Sequence, residues 1–229
     1  MTLFQSFTGA RFPCLCLSVI KICCLAILAT SSPTSTADDI EELSVTDTGG
    51  EYSLRITVVL NAPVEYVYKV ITDYTHVYRI NPTITNVEIL PSGYGGVVRV
   101  QNLTKQCVGP FCFDIVWTGD IVETGDRDLE ITTIPELSDF VSGSANWHIR
   151  PQGALTRVIY ESRLRPSFFI PPVIGGIIIR KQIKDDTLDT FRRIESQAMI
   201  MLDLDKKQQA DDLKSFQKKG LNYFYRTSP

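Results

Sequence analysis

Histidine is almost missing from this chain: 229 residues carry only His76 and His148. That scarcity removes the usual base for a serine or cysteine nucleophile, which needs one within hydrogen-bonding reach. It also removes the commonest donor for a catalytic or structural zinc. Basic excess is absent too, with 23 lysines and arginines against 26 acids, so a phosphate-lined nucleic-acid surface is excluded as the main role. No acid occurs before Asp38, and no cysteine between Cys24 and Cys107. What is plentiful is apolar mass, at 44%, enough for one ordinary domain core once a leader and a polar tail are set aside.

The acid-free start has a purpose of its own. Residues 1–37 carry Arg11 and Lys21, run through Ile22-Cys23-Cys24-Leu25-Ala26-Ile27-Leu28-Ala29, then turn small and hydroxylic up to Ala37. This layout reads as a secretory signal peptide, with Ser35 and Ala37 placing small residues before a cut after Ala37. The apolar stretch, broken by Lys21, is short for a membrane span; an uncleaved N-terminal anchor is the alternative. The expected location is secreted or periplasmic. Without the leader's two bases, 21 bases face 26 acids, a net charge of −5. Only Cys107 and Cys112 then remain, flanking Val108-Gly109-Pro110-Phe111 at a hairpin end, and in an oxidising compartment they are expected to pair. A redox pair would want two-residue spacing and a half metal site would want further ligands.

After an acidic, hydroxylic stretch at 38–50, read as a linker closed by Gly49-Gly50, ordered structure is expected from Tyr52. Leu54, Ile56, Val58 and Leu60 alternate with polar neighbours as one strand. Asn61-Ala62-Pro63 stops it and opens a short helix through Val64, Val67, Tyr68 and Ile71. A second short turn from Asp73-Tyr74 ends at Asn81-Pro82. Six further strands follow at 84–90, 97–105, 111–122, 129–134, 140–150 and 156–164, separated by glycine- and proline-rich turns, which reads as an antiparallel meander. A long amphipathic helix runs from near Pro172 past Met199, with Ile177, Ile183, Thr187, Leu188, Phe191, Ile194 and Ala198 at helical spacing. Residues 51–202 make the domain, and 203–229 a polar tail or helical extension.

Parity sorts the faces. Phe111, Phe113, Ile115, Trp117 and Ile121 share one side of their strand, as do Leu129, Ile131 and Thr133, then Val141, Gly143, Ala145, Trp147 and Ile149, then Val158, Tyr160, Ser162 and Leu164. His148 faces away from that side, and no two carboxylates fall on it. Gly143 and Ala145 either leave volume for a ligand or make room for bulky neighbours.

These features resemble the START-like, polyketide-cyclase and aromatic-dehydrase (SRPBCC) superfamily, most closely its coenzyme Q-binding branch. The resemblance spans residues 51–200. It rests on the strand at 54–60, on Asn61-Ala62-Pro63-Val64-Glu65-Tyr66-Val67, on the segment from Thr72-Asp73-Tyr74 to Asn81-Pro82, and on the proline-led final helix. It implies an α+β helix-grip fold, a curved antiparallel sheet of about seven strands wrapped around a long C-terminal helix, with two short helices after the first strand. It also implies a lipid, quinone, sterol or polyketide held between sheet and helix. The coenzyme Q branch is associated with respiratory quinone handling and a bacterial relative with ribosomes, and an exported chain departs from both.

The expected partner is therefore a hydrophobic small molecule, carried or sensed without turnover, with no cofactor, no metal and no catalytic residue assigned. Its walls are expected from Trp117, Trp147, Thr133 and Tyr160 on the sheet and Ile177, Leu188 and Phe191 on the helix, with Tyr78 and Ile80 edging the mouth. The run at 168–176, uncharged from Phe168 to Gly176 with two prolines and two glycines, is either a transient membrane contact or a buried crossover. Two other functional classes stay open. One is a cyclase or dehydratase using Tyr160 or Arg99 as its acid-side group, and the other a ligand-free adaptor that binds protein.

Overall fold

The computed structural model describes residues 39–108, 111–170 and 175–227. The leader at 1–37 and the first residues of the expected helix, Pro172 included, lie outside that set. Eight antiparallel strands form one sheet: β1 (Asp39–Thr48), β2 (Glu51–Leu60), β3 (Ile84–Leu90), β4 (Val97–Val108), β5 (Phe111–Thr124), β6 (Asp128–Thr133), β7 (Phe140–Gln152) and β8 (Leu155–Pro166), in the order β1-β2-β8-β7-β6-β5-β4-β3. Helix α1 (Val64–Ile71) and a 3-10 turn (Tyr74–Arg79) carry the chain from β2 to the far edge at β3. After β8, a π-helical turn (Gly175–Ile179) leads into α2 (Arg180–Thr227). This is the helix-grip architecture, with one strand more than expected.

The additional strand is β1, which corrects the linker reading of 38–50. Its pairing with β2 runs from Asp39 opposite Val59 to Thr48 opposite Glu51, with a register shift between Ile40 and Glu42. That bulge puts Ile40 and Leu43 on one side although they are three apart, so the period of two is lost to inspection. Gly49 and Gly50 sit at φ +61° and +85°, the doubly left-handed geometry of a two-residue hairpin turn. Asp47 Oδ1 accepts the Gly50 N–H at 3.0 Å. The exposed ion pairs Arg55–Glu42 and Arg157–Glu41 tie the edge to its neighbours, each a small contribution in solvent.

One end of the molecule is solid. Ile56, Val58, Leu60, Val67, Ile149, Val158, Phe191, Ile194 and Ala198 are each at most 2% exposed, and together they lock α1, the sheet and the middle of α2. Backbone ties close the same end. Asn61 N–H donates to Glu195 at 2.9 Å and the Thr156 hydroxyl to the Ala62 carbonyl at 2.6 Å. Between Val70, Ile80 and Met201 only about 10 Å³ is free, room for a single water at most. Ile80 is 6% exposed within this core, so it does not edge an opening. From residue 203 to 214 the helix carries on as an exposed extension, tethered to α1 by the Tyr66 hydroxyl donating to Asp205 at 2.9 Å. Among the described residues no helix is long and apolar enough to cross a membrane.

Candidate ligand-binding cleft

Along α2 the burial changes abruptly. Phe191, Ile194 and Ala198 are 2%, 0% and 0% exposed, whereas from Arg180 to Thr190 only Thr187 is buried. The helix packs mainly on α1, β1 and β2, while Asp186 meets Gln106 of β4 and Phe191 meets Trp147 and Tyr160 of β7 and β8. Beside its first turns the inward residues of β4 to β8 are only partly covered: Asn102, Thr104, Ile115, Trp117, Trp147, Tyr160 and Leu164 all retain accessible surface. Phe113 and Val141, toward the rim, are each 53% exposed. Partial exposure of these side chains marks a trough, a strip of the sheet's inward face that the helix leaves incompletely covered.

Three aromatic rings form the boundary between the two regimes. Trp147 and Tyr160, paired across β7 and β8, lie 4.3 Å apart at 39°, and Phe191 of α2 stands 5.7 Å from Trp147 and 6.5 Å from Tyr160. Leu188 packs against the same buried cluster as these rings. Such offset rings gain contact energy beyond plain area burial. Burial raises the Tyr160 hydroxyl above its ordinary range, with a hydrogen bond to Ser162 pulling the other way.

Further along the floor, Trp117 lies flat over its own strand. Its Nε1 donates to Thr133 Oγ1 at 2.9 Å. The ring fits because position 119 has no side chain: a Cβ there would stand 2.6 Å from Trp117 Cη2. Sequence reasoning missed Gly119, although its place two residues from Trp117 on the same face was the available signal. Gly143 resolves in favour of its neighbours. A Cβ at 143 would overlap the Thr133 hydroxyl and come within 2.7 Å of Leu164 Cδ2, so these side chains, not a ligand, use the space.

The structure therefore brings Trp117 and Thr133 together as one floor unit, and Trp147, Tyr160, Leu188 and Phe191 as another. Ile177 is apart from both, 75% exposed on the π turn. Tyr78, 47% exposed, stands edge-on to His76 and, like Ile80, belongs to the solid end. Both residues expected at the mouth are corrected to that end, because the 3-10 turn packs beside the middle of α2 rather than beside its start.

Polar groups near the trough are few. On α2, Asp186 accepts from Gln182 at 2.8 Å and from Gln106 of β4 at 3.2 Å, a bridge from helix to sheet that the sequence pattern did not single out. Desolvation lifts its carboxyl above the usual range, and the two amide donors oppose that. A raised acid binds its proton more tightly folded than unfolded, so stability falls as pH rises from the ordinary carboxylate pKa through the raised one. Asp186→Asn should accordingly melt higher than the parent near pH 7. The difference should close below about pH 4, where both states of the parent are protonated; a lower melting point at both pH values would contradict this.

Remaining ionisable groups are engaged elsewhere. Arg99 clasps Asp120 with two hydrogen bonds, 2.7 and 2.9 Å, on the face opposite Trp117, and holds that carboxyl below its usual range; it is no acid for a bound substrate. His148 bonds Asp128 at 3.0 Å on the same outer face, and His76 bonds Asp73 at 2.8 Å at the solid end. Tyr68 and Tyr74 both donate to Glu123, and burial first, then that carboxylate, raises the Tyr68 hydroxyl to about 12. At the trough's outer end the disulfide Cys107–Cys112 joins residues directly opposite on β4 and β5.

Fold and trough together define a helix-grip protein of the START-like superfamily. Residues 60–192 match the family model described as polyketide cyclase / dehydrase and lipid transport, and the chain belongs to that family. Among solved structures, a Thermus thermophilus protein is similar at 18% identity and a TM-score of 0.54, over 65% of this chain and 98% of that one. The Zhui aromatase/cyclase of a Streptomyces species is similar at 16% and 0.55, over 65% and 94%. A START superfamily protein of Mycobacterium smegmatis is similar at 14% and 0.52, over 65% and 98%. At such identities the likeness carries the fold alone. No curated protein matches the sequence.

Proposed function

We propose that this protein is an exported carrier or sensor of a hydrophobic small molecule, lipid, quinone or polyketide-like, held without turnover in the trough. The observation that carries this reading is the incompletely covered aromatic and aliphatic floor of the sheet beside the first turns of α2. Ligand sites are mostly apolar with a few placed polar groups, which describes this floor. The family description, which includes lipid transport, supports the same reading. At roughly 25 cal/mol per Å², covering about 300 Å² of apolar surface would supply several kcal/mol before the costs of association.

Export is supported by the leader-like N-terminus and by the Cys107–Cys112 disulfide, which suits an oxidising compartment. Transient contact with a membrane surface is supported by Phe168, Phe169, Ile177 and Ile178, exposed by 41, 82, 75 and 47% on the segments that lead into α2. A second reading, a cyclase-like enzyme, draws on the family description and on Tyr160, a buried hydroxyl paired with Ser162. It has the weaker support, since neither histidine lies in the trough and Arg99 is on the opposite face. The test is whether the intact chain takes up and retains an apolar molecule; a protein that stays empty contradicts the proposal.

A further inference from the structure

The hairpin of β4 and β5 outruns the rest of the sheet. β3 pairs with β4 only as far as Thr104, and β6 meets β5 only from Gly119 onward. The last backbone ties from outside are the Lys105 N–H donating to the Thr83 carbonyl at 2.8 Å and Val116 exchanging two bonds with Asp139, each 2.8 Å. Among the described residues, the stretch past Lys105 and before Val116 is therefore a two-stranded ribbon, which is marginal in water without further support. The Cys107–Cys112 disulfide supplies that support, joining residues directly opposite each other.

Alternation along β4 puts Cys107 on the outer face of the sheet and Gln106 on the inner one. Both cysteines are exposed, so a reductant reaches the bridge from solvent. Gln106, paired with Phe113 in the ribbon, donates to Asp186 of α2 at 3.2 Å. Among the described residues this is the only hydrogen bond from Arg180–Thr190 to the sheet, since the other side-chain bonds of that segment stay within the helix. The same segment buries only Thr187. The start of α2 is thus tied to β4 through the residue next to the disulfide.

We propose that the Cys107–Cys112 bridge is a redox-sensitive latch on the start of α2, its reduction by a dithiol freeing the ribbon and with it the Gln106–Asp186 bond. Exposed disulfides are the labile and regulatory ones. In the exchange a thiolate of the dithiol attacks one sulfur, the S–S bond breaks, and the second sulfur leaves as a thiolate that takes up a proton. The other sulfur of the dithiol then resolves the mixed disulfide. Cys107 and Cys112 end as two thiols, having gained two electrons and two protons, and the dithiol ends as its own disulfide. The oxidised chain keeps the first turns of α2 fixed beside the sheet, and the reduced chain releases them, while Phe191 to Ala198 hold in both. This goes beyond the carrier reading and stands whether or not a ligand occupies the floor.

Hydrogen exchange of the intact chain, read by mass spectrometry with dithiothreitol as the dithiol, tests the latch. Reduction, verified by alkylation of Cys107 and Cys112, should speed exchange in Arg180–Thr190 about tenfold and leave Phe191–Ala198 as it was. Gln106→Ala should show the same gain while still oxidised. Cys107→Ser combined with Cys112→Ser should exchange like the reduced parent, with or without dithiothreitol. Unchanged exchange in Arg180–Thr190 after verified reduction would overturn the proposal, as would either variant behaving like the oxidised parent. A rise that spreads through Phe191–Ala198 would overturn it too, by showing that the bridge serves the whole fold. Cysteines that resist alkylation under the reductant would count equally against it.

Discussion

Replacing Phe191 with alanine should cost about 3–5 kcal/mol of folding free energy, the range for deleting a buried ring whose surroundings collapse only in part. Phe191 is 2% exposed and touches Trp147 and Tyr160 from the helix side, at the point where α2 becomes embedded. Its loss would both open a void and detach the helix from the β7–β8 floor. Against a total stability of roughly 5–15 kcal/mol, the variant should unfold at a far lower denaturant midpoint. Leu188→Ala, three residues earlier and only partly covered, should lose much less. A Phe191→Ala protein within about 1 kcal/mol of the parent would mean that the helix is not anchored through this ring.

The second large effect is expected from the smallest substitution. In Gly119→Ala the added methyl would overlap the Trp117 ring and also approach Thr132 O at 3.1 Å. The backbone is paired on both sides, with β4 and with β6, so the ring must move. Leaving its seat breaks the Nε1 bond to Thr133. Overpacking of this kind costs about 1–3 kcal/mol, and a lost hydrogen bond adds about 1 kcal/mol. Trp117 should become more exposed, with its emission shifted to the red. In Gly119→Ala combined with Trp117→Ala the two losses should fall well short of additive, because the clash disappears with the ring. Unchanged emission and stability in the single variant would contradict the seating of Trp117 on Gly119.

These two residues also mark where the sequence was informative. Phe191 stood out by its place in the threes-and-fours pattern of a long helix, and parity alone put Trp117, Trp147 and Tyr160 on one face. Both follow from periods that hydrophobicity imposes on regular elements. Gly119 escaped because a glycine inside a strand has several readings, and only coordinates show which ring occupies its missing side chain. Gly143 was left between ligand volume and room for bulky neighbours for the same reason, and Thr133 and Leu164 fill that space. β1 was hidden by a bulge that breaks the alternation, although the glycine pair at its end was a hairpin signal. Asp186 and Gln106 meet across 80 residues, a separation that no local pattern encodes. Tyr78 and Ile80 were placed at the wrong end because the short elements after β2 fix their neighbours through tertiary packing.

The trough's two ends differ in how firmly they are held. Stability is concentrated where α1, β2, β8 and the middle of α2 meet, while the first turns of α2, the disulfide-closed hairpin of β4 and β5 and the exposed Phe169 lie away from it. A ligand would thus be received by the less embedded part of the molecule and stopped by the Trp147, Tyr160 and Phe191 rings. That division lets a binding region be adjustable without loosening the core.

The most direct measurement is the native mass of the intact chain, taken as purified and again after incubation with a lipid extract and removal of the excess. The account predicts a discrete added mass of a small apolar molecule in at least one of the two spectra, released when the protein is unfolded. The bare polypeptide mass in both would contradict it.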